Sequence, residues 1–311
     1  MKTKNNIAYY ITLIAAFLII AAGIITTALC GINLGFNEAG GTQISVKLEA
    51  VTKDQAKTAA VDVLKENNIK IDTMFVEDKE LSSLLVINVA KKDIANINEV
   101  CEAIANKLSI PADNCSYVAI KSTIKSNTYL VLGIVLICLT VAIFLFGLIR
   151  YKLYGGLTLA FAFLAQLMLS LSICFCTRIE LTLGGIVSIL VGSILATLLT
   201  VIMLEKYRER ISLKSLASGD EKEIMGATVK STLEPIFFTI GSILLVAIIM
   251  LFTGVRRVMM MDFAIIISIA VMAVNLLIIV PSTLVSLAEI NRVRLDNHLS
   301  KNNSPAPSKK K

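Results

Sequence analysis

The chain has 311 residues, a net charge of +7, a mean hydropathy of +0.77, and a composition that is 56% hydrophobic and only 17% charged. A soluble protein of this size would not carry so much apolar surface, so the composition excludes an ordinary water-soluble domain. The excess of basic residues is not a nucleic-acid footprint, because its distribution follows a membrane topology.

A helical span needs roughly 20 apolar residues to cross ~30 Å of hydrocarbon. The apolar runs predict spans at 7–30, 129–149, 154–176, 181–204, 236–253 and 263–288, none with a charge at its centre. The first run is too long for a signal-peptide core and lacks a small-x-small cleavage site, so it is read as an uncleaved anchor. The expected inner segments hold Lys2, Lys4, Arg150, Lys152, Lys206, Arg208, Arg210, Lys214, Lys222 and Lys230, and a basic tail at 291–311. The short outer loops hold only Arg178, Arg256 and Arg257, which predicts cytoplasmic termini and an outward-facing segment at 31–128.

The outer segment reads as a small α+β domain. Gln43 to Leu48 alternates, with Ile44, Val46 and Leu48 on one face, as in a half-buried strand. Thr52 and Gln55 suggest a capping box before a helix carrying Ala56, Ala59, Ala60, Val63 and Leu64. Strands are predicted at 69–76 and 83–89, then a helix at 93–108 and a strand at 116–121. The order β-α-β-β-α-β is that of the ferredoxin-like split motif. Cys101 and Cys115 in this segment are either a disulfide or two ordinary buried thiols. With no CxxC and one histidine, His298 in the tail, neither a metal site nor a cofactor is expected.

In the fourth span Gly184, Ser188, Gly192 and Ala196 recur every four residues, a stripe where another helix can come close. Gln166 and Asn275 fall near the midpoints of the third and sixth spans and are expected to hydrogen-bond within the protein. Pro235 is placed in the first turn of the fifth span. The cytoplasmic side comprises the N-terminus, a loop at 205–235 and a basic tail at 291–311, whose part after Ser300 is expected to be disordered, with contact to anionic lipid or ribosome as the second reading. No nucleophile–base pair or phosphate loop stands out, so an enzyme is not expected.

Two stretches carry a family resemblance. Residues 31–42 read GINLGFNEAGGT, and Gly31, Asn33, Gly35, Gly40, Gly41 and Thr42 match the pattern GLNFGIDFTGGT that follows the first span of the SecF subunit of the bacterial SecDF protein-export complex. Residues 205–209 read EKYRE, with Glu205, Lys206, Arg208 and Glu209 similar to the DRIRE-like motif of that family. The resemblance implies a multi-pass protein of the bacterial cytoplasmic membrane that assists late preprotein export. It implies a SecD-type partner subunit, the SecYEG channel and unfolded preprotein on the outer side as partners, beside membrane lipids and with no nucleic acid.

The departures are as specific. The family's intramembrane Asp falls on Leu199, or on Leu198 in the SecD register; its arginine falls on Pro235; its His-Asp pair falls on Ala165 and Gln166. No carboxylate is expected to replace them within the spans, so the chain by itself is expected not to conduct protons. The alternatives are a half-size efflux-type transporter of the related superfamily, or a non-transporting scaffold whose outer domain binds a partner.

Overall fold

The computed structural model describes residues 2–48, 52–69, 71–79, 82–89, 96–124, 126–214, 221–252 and 256–287. The tail, Thr253, Gly254 and residues 215–220 lie outside them. The chain divides into a unit of residues 34–131 and a second unit of residues 1–33 and 132–311.

The smaller unit holds a short helix α2 (Phe36–Ala39), strand β1 (Gly41–Leu48), helix α3 (Lys53–Glu66), strands β2 (Ile71–Lys79) and β3 (Ser82–Val89), helix α4 (Ile97–Leu108) and strand β4 (Cys115–Ile120). The sheet is antiparallel throughout, in the order β2-β3-β1-β4. The alternation seen in β1 has its expected result. Ile44, Val46 and Leu48 are buried with Leu85, Ile87 and Val89 of β3, under Ala60, Val63 and Leu64 of α3 and Val100, Ile104 and Leu108 of α4. The capping box is not formed. Thr52 is the N-cap in extended conformation, but its side chain makes no capping bond. The first turn is exposed, so water can serve its amides. Strand β2 begins at Ile71 because Asn68, at φ 55, turns the chain first and Ile69 is spent in the core.

The two chain connections of this unit are laced together. The Asn37 carbonyl accepts from the Thr123 amide and hydroxyl at 3.3 and 3.0 Å, and the Glu38 carbonyl from the Ser122 hydroxyl and the Ile124 amide at 2.7 and 3.3 Å. Gly40, at φ +75, makes this possible, since a Cβ there would fall 2.5 Å from the Ser122 nitrogen.

Among the described residues, five helices are long and apolar enough to cross a membrane. They are α1 (Lys2–Cys30), α5 (Ser126–Cys176), α6 (Leu183–Lys214), α7 (Glu221–Leu251) and α8 (Arg256–Val274), which runs on through a π turn (Asn275–Ile279) to residue 287. Large apolar side chains such as Phe17, Phe146, Phe237 and Phe238 stay exposed, as a lipid-facing surface requires. Helix α5 contains a non-helical residue, Lys152 (φ 63, ψ −169), and its halves fold back on each other. A Cβ on Gly147 would lie 2.7 Å from the Gly156 Cα, an approach that only two glycines permit. The π turn directly precedes Pro281, which has no N–H to continue regular i→i−4 bonding.

Two sequence expectations are corrected. The segment 205–235 is not a loop in its described part: α6 continues to Lys214 and α7 starts at Glu221. These extensions pack together through buried Tyr207, Ile224 and Met225, which a polar average over the segment conceals. Pro235 therefore lies inside α7, not in its first turn.

Gly40→Ala should cost more than ~1 kcal/mol, because it combines a left-handed φ with a backbone clash. Thermal unfolding of the purified protein checks this; an unchanged transition would refute the role given to Gly40.

Candidate intramembrane polar site and a helix-end anchor

Polar side chains inside the helical unit collect at the meeting of α5, α8 and the π turn. Gln166 is fully buried, and its amide donates to the Ser268 carbonyl at 2.8 Å, with the Ser268 and Ser170 hydroxyls each at 3.4 Å. Asn275 opens the π turn and donates to the Ala162 carbonyl at 2.9 Å and to Gln166 Oε1 at 3.4 Å. Its Oδ1 accepts no hydrogen bond among the described residues. The structure thus brings Gln166 and Asn275 together. It adds Ser170 and Ser268, which as isolated serines in apolar runs gave no signal.

The small-residue stripe on α6 is used inside this chain. Gly184 lies against Met261 and Gly192 against Ser268, both of α8, while Ala196 is buried in the same core as Leu199 and Met272. The Ser188 hydroxyl returns to the Gly184 carbonyl at 2.8 Å. Leu199 faces the core and Leu198 faces out at 55% exposure, so only the first could serve an interior site.

One expectation is overturned. The last candidate span, Val258–Leu287, begins earlier than the apolar run suggested and includes Asp262. Asp262 is fully buried, and neither carboxylate oxygen has a hydrogen-bond partner among the described residues. The helical spans therefore do hold a carboxylate. Reading the span from its first long apolar stretch set it one residue outside.

At one end of the helical unit the EKYRE stretch forms an anchor. Glu205 Oε1 accepts from Arg150 Nε and Nη2 at 3.0 and 2.8 Å, and from the Tyr151 hydroxyl at 3.0 Å. Arg208 reaches the Arg150 carbonyl at 3.5 Å. Tyr207 is buried, and Glu209 is exposed with its carbonyl accepting from Ser212. The Lys206 ammonium donates to the Ser231 carbonyl. That carbonyl is four residues before Pro235, whose missing N–H would otherwise have bonded it. Lysine and proline are thus two parts of one contact.

At the other end, Asn33 Nδ2 donates to the Arg178 carbonyl at 2.6 Å, and the Asn33 carbonyl accepts from the Leu181 amide at 2.7 Å. Arg178 Nη1 donates to the Gly31 carbonyl at 2.7 Å. The end of α1 is thereby clamped to the α5–α6 turn. Gly35 is the N-cap of α2, Gly41 sits under the Phe36 ring and Thr42 is buried in β1.

This helical arrangement is that of a known class of membrane protein. No family description and no curated protein matches the sequence. Solved structures do match. The crystal structure of SecDF in its super-membrane-facing form has a TM-score of 0.71 at 15% identity, covering 94% of this chain and 39% of that one. The crystal structure of SecDF from Thermus thermophilus, described as a translocon-associated membrane protein, has a TM-score of 0.64 at 18% identity, covering 92% and 38%. The chain has a SecDF-like fold and spans about two-fifths of the SecDF chains it matches.

Gln166→Leu and Asn275→Leu should each destabilise the protein by ~1–3 kcal/mol, since each leaves a buried polar partner behind. The double variant should cost less than the sum, because it removes both members together. Denaturation in detergent checks the cycle; strict additivity would mean that the two amides do not interact.

Proposed function

We propose that this chain is the SecF-type half of a SecDF-like complex and assists late steps of preprotein export across a bacterial cytoplasmic membrane. The observation that carries this reading is the match of over nine-tenths of the chain to the SecDF fold. The GINLGFNEAGGT stretch supports it, because its polar and glycine positions clamp α1 to the α5–α6 turn and admit the chain to β1.

In this reading the chain crosses the membrane six times, with both termini cytoplasmic. A continuous 50-residue apolar helix would measure ~75 Å, against ~30 Å of hydrocarbon, and the fold-back at Lys152 relieves the excess. The antiparallel order β2-β3-β1-β4, with two crossover helices, supports a ferredoxin-like domain on the outer side. A SecD-type half, on its own or the same polypeptide, completes a twelve-helix unit at the SecYEG channel, and the small domain meets emerging unfolded preprotein.

The ionisable groups of the resembled family are absent from their three places. Leucine at 199 and proline at 235 exchange no proton, and the Gln166 amide is engaged in hydrogen bonds. Proton drive therefore comes from the partner half. Purified chain in liposomes should give no more proton flux than protein-free vesicles; flux that Asp262→Asn abolishes would place a path at Asp262 instead. Deletion should slow the appearance of secreted proteins in a pulse-chase, and the chain should co-purify with the channel. Normal export combined with raised drug accumulation would favour the efflux reading.

A further inference from the structure

The smaller unit places two cysteines, from separate elements, side by side. Cys101 lies on the inner face of α4 with Val100, Ile104 and Leu108, and is 6% exposed. Cys115 opens β4 opposite Val46, whose side chain points into the same core, so Cys115 also points toward α4. It is only partly buried, and it packs against the cluster that contains Cys101. A side-chain hydrogen bond joins the two thiols. Between them the chain turns at Ser109 (φ 54), passes Pro111 and makes a single 3-10 turn (Ala112–Asn114), so the elements are set against each other by a short, bent connection.

We propose that Cys101 and Cys115 form a reversible disulfide, made by exchange with a low-molecular-weight or protein disulfide, that fastens the start of β4 to α4.

Exposure defines the order of steps, because Cys101 is buried and Cys115 only partly so. The hydrogen bond from Cys115 holds the Cys101 thiol below the usual range, and the same bond together with burial pushes Cys115 well above it. Only Cys115 is open to a donor. Cys101 first releases its proton to solvent; the Cys115 proton then passes to the Cys101 thiolate as the Cys115 sulfur attacks one sulfur of the donor. The donor S–S bond breaks and its other sulfur leaves as a thiolate, which takes a proton to become a thiol. Cys101, favoured as a thiolate, then gives up its proton and attacks the Cys115 sulfur of the mixed disulfide. The second donor thiol leaves, protonated. Two electrons have passed from the cysteine pair to the donor, which is reduced to two thiols. The product closes the loop between the cysteines and pins an edge strand on which Tyr117 and Val118 are exposed.

The test uses the purified full chain in detergent, treated with oxidised glutathione, blocked with N-ethylmaleimide, digested and read by mass spectrometry. The expected product is a peptide pair joined through Cys101 and Cys115, lighter by two hydrogens. It should exceed the Cys115–glutathione mixed disulfide at least about ten-fold, because the second attack is intramolecular. Dithiothreitol should restore both thiols, and Cys101→Ala should halt at the mixed disulfide. The proposal is overturned if the unmodified chain keeps glutathione on Cys115. It is equally overturned if both thiols stay reduced while the denatured chain reacts.

Discussion

Hydrocarbon offers no hydrogen bonds, so each polar group that a chain carries into the bilayer has to be met by another group of the protein. The helical unit is organised around that requirement. Pro235 frees the Ser231 carbonyl, and Lys206 from the neighbouring helix takes it. The π turn ahead of Pro281 starts at Asn275, whose amide is spent on Ala162 and Gln166. Gln166 in turn serves Ser268, the residue against which Gly192 packs. Irregular backbone and polar side chains therefore occur together, and the close approach of α6 to α8 depends on both.

Two charged contacts tie the helices to one another. At one end Glu205 gathers Arg150 and Tyr151, fixing the fold-back of α5 to α6. Both partners of that ion pair are about half exposed, so its contribution to stability is small, and its value lies in orientation. At the other end Arg178 and Asn33 hold α1 through backbone carbonyls, with no opposite charge required. Asp262 stands apart from both: it is a buried carboxylate without a hydrogen bond among the described residues. Its position in the last helix is far from the place of Leu199 on α6, so it is not a substitute in the same register.

Much of this was legible from local pattern. Period-two alternation identified β1, and period 3.6 identified the buried faces of α3 and α4, because both reflect a single nearby core. Long apolar runs identified the membrane helices. What escaped had a different physical origin. Helix continues past the apolar run in α6 and before it in α7, since side-chain contacts between the extensions sustain it where composition turns polar. The partners of Glu205, Asn33 and Lys206 are distant in sequence, and no spacing announces them. Pro235 looked like a boundary because proline suits a first turn, but a lysine elsewhere makes it tolerable in mid-helix.

The lacing of residues 37–38 to residues 122–124 bears on how such a chain can vary. A unit whose incoming and outgoing strands are hydrogen-bonded side by side behaves as an insertion on a closed stem. Its strands and helices can lengthen, shrink or be exchanged without altering the distance that the stem must bridge. Diversification of the inserted unit and preservation of the helical scaffold are thereby separated, and selection can act on one while the other stays in register.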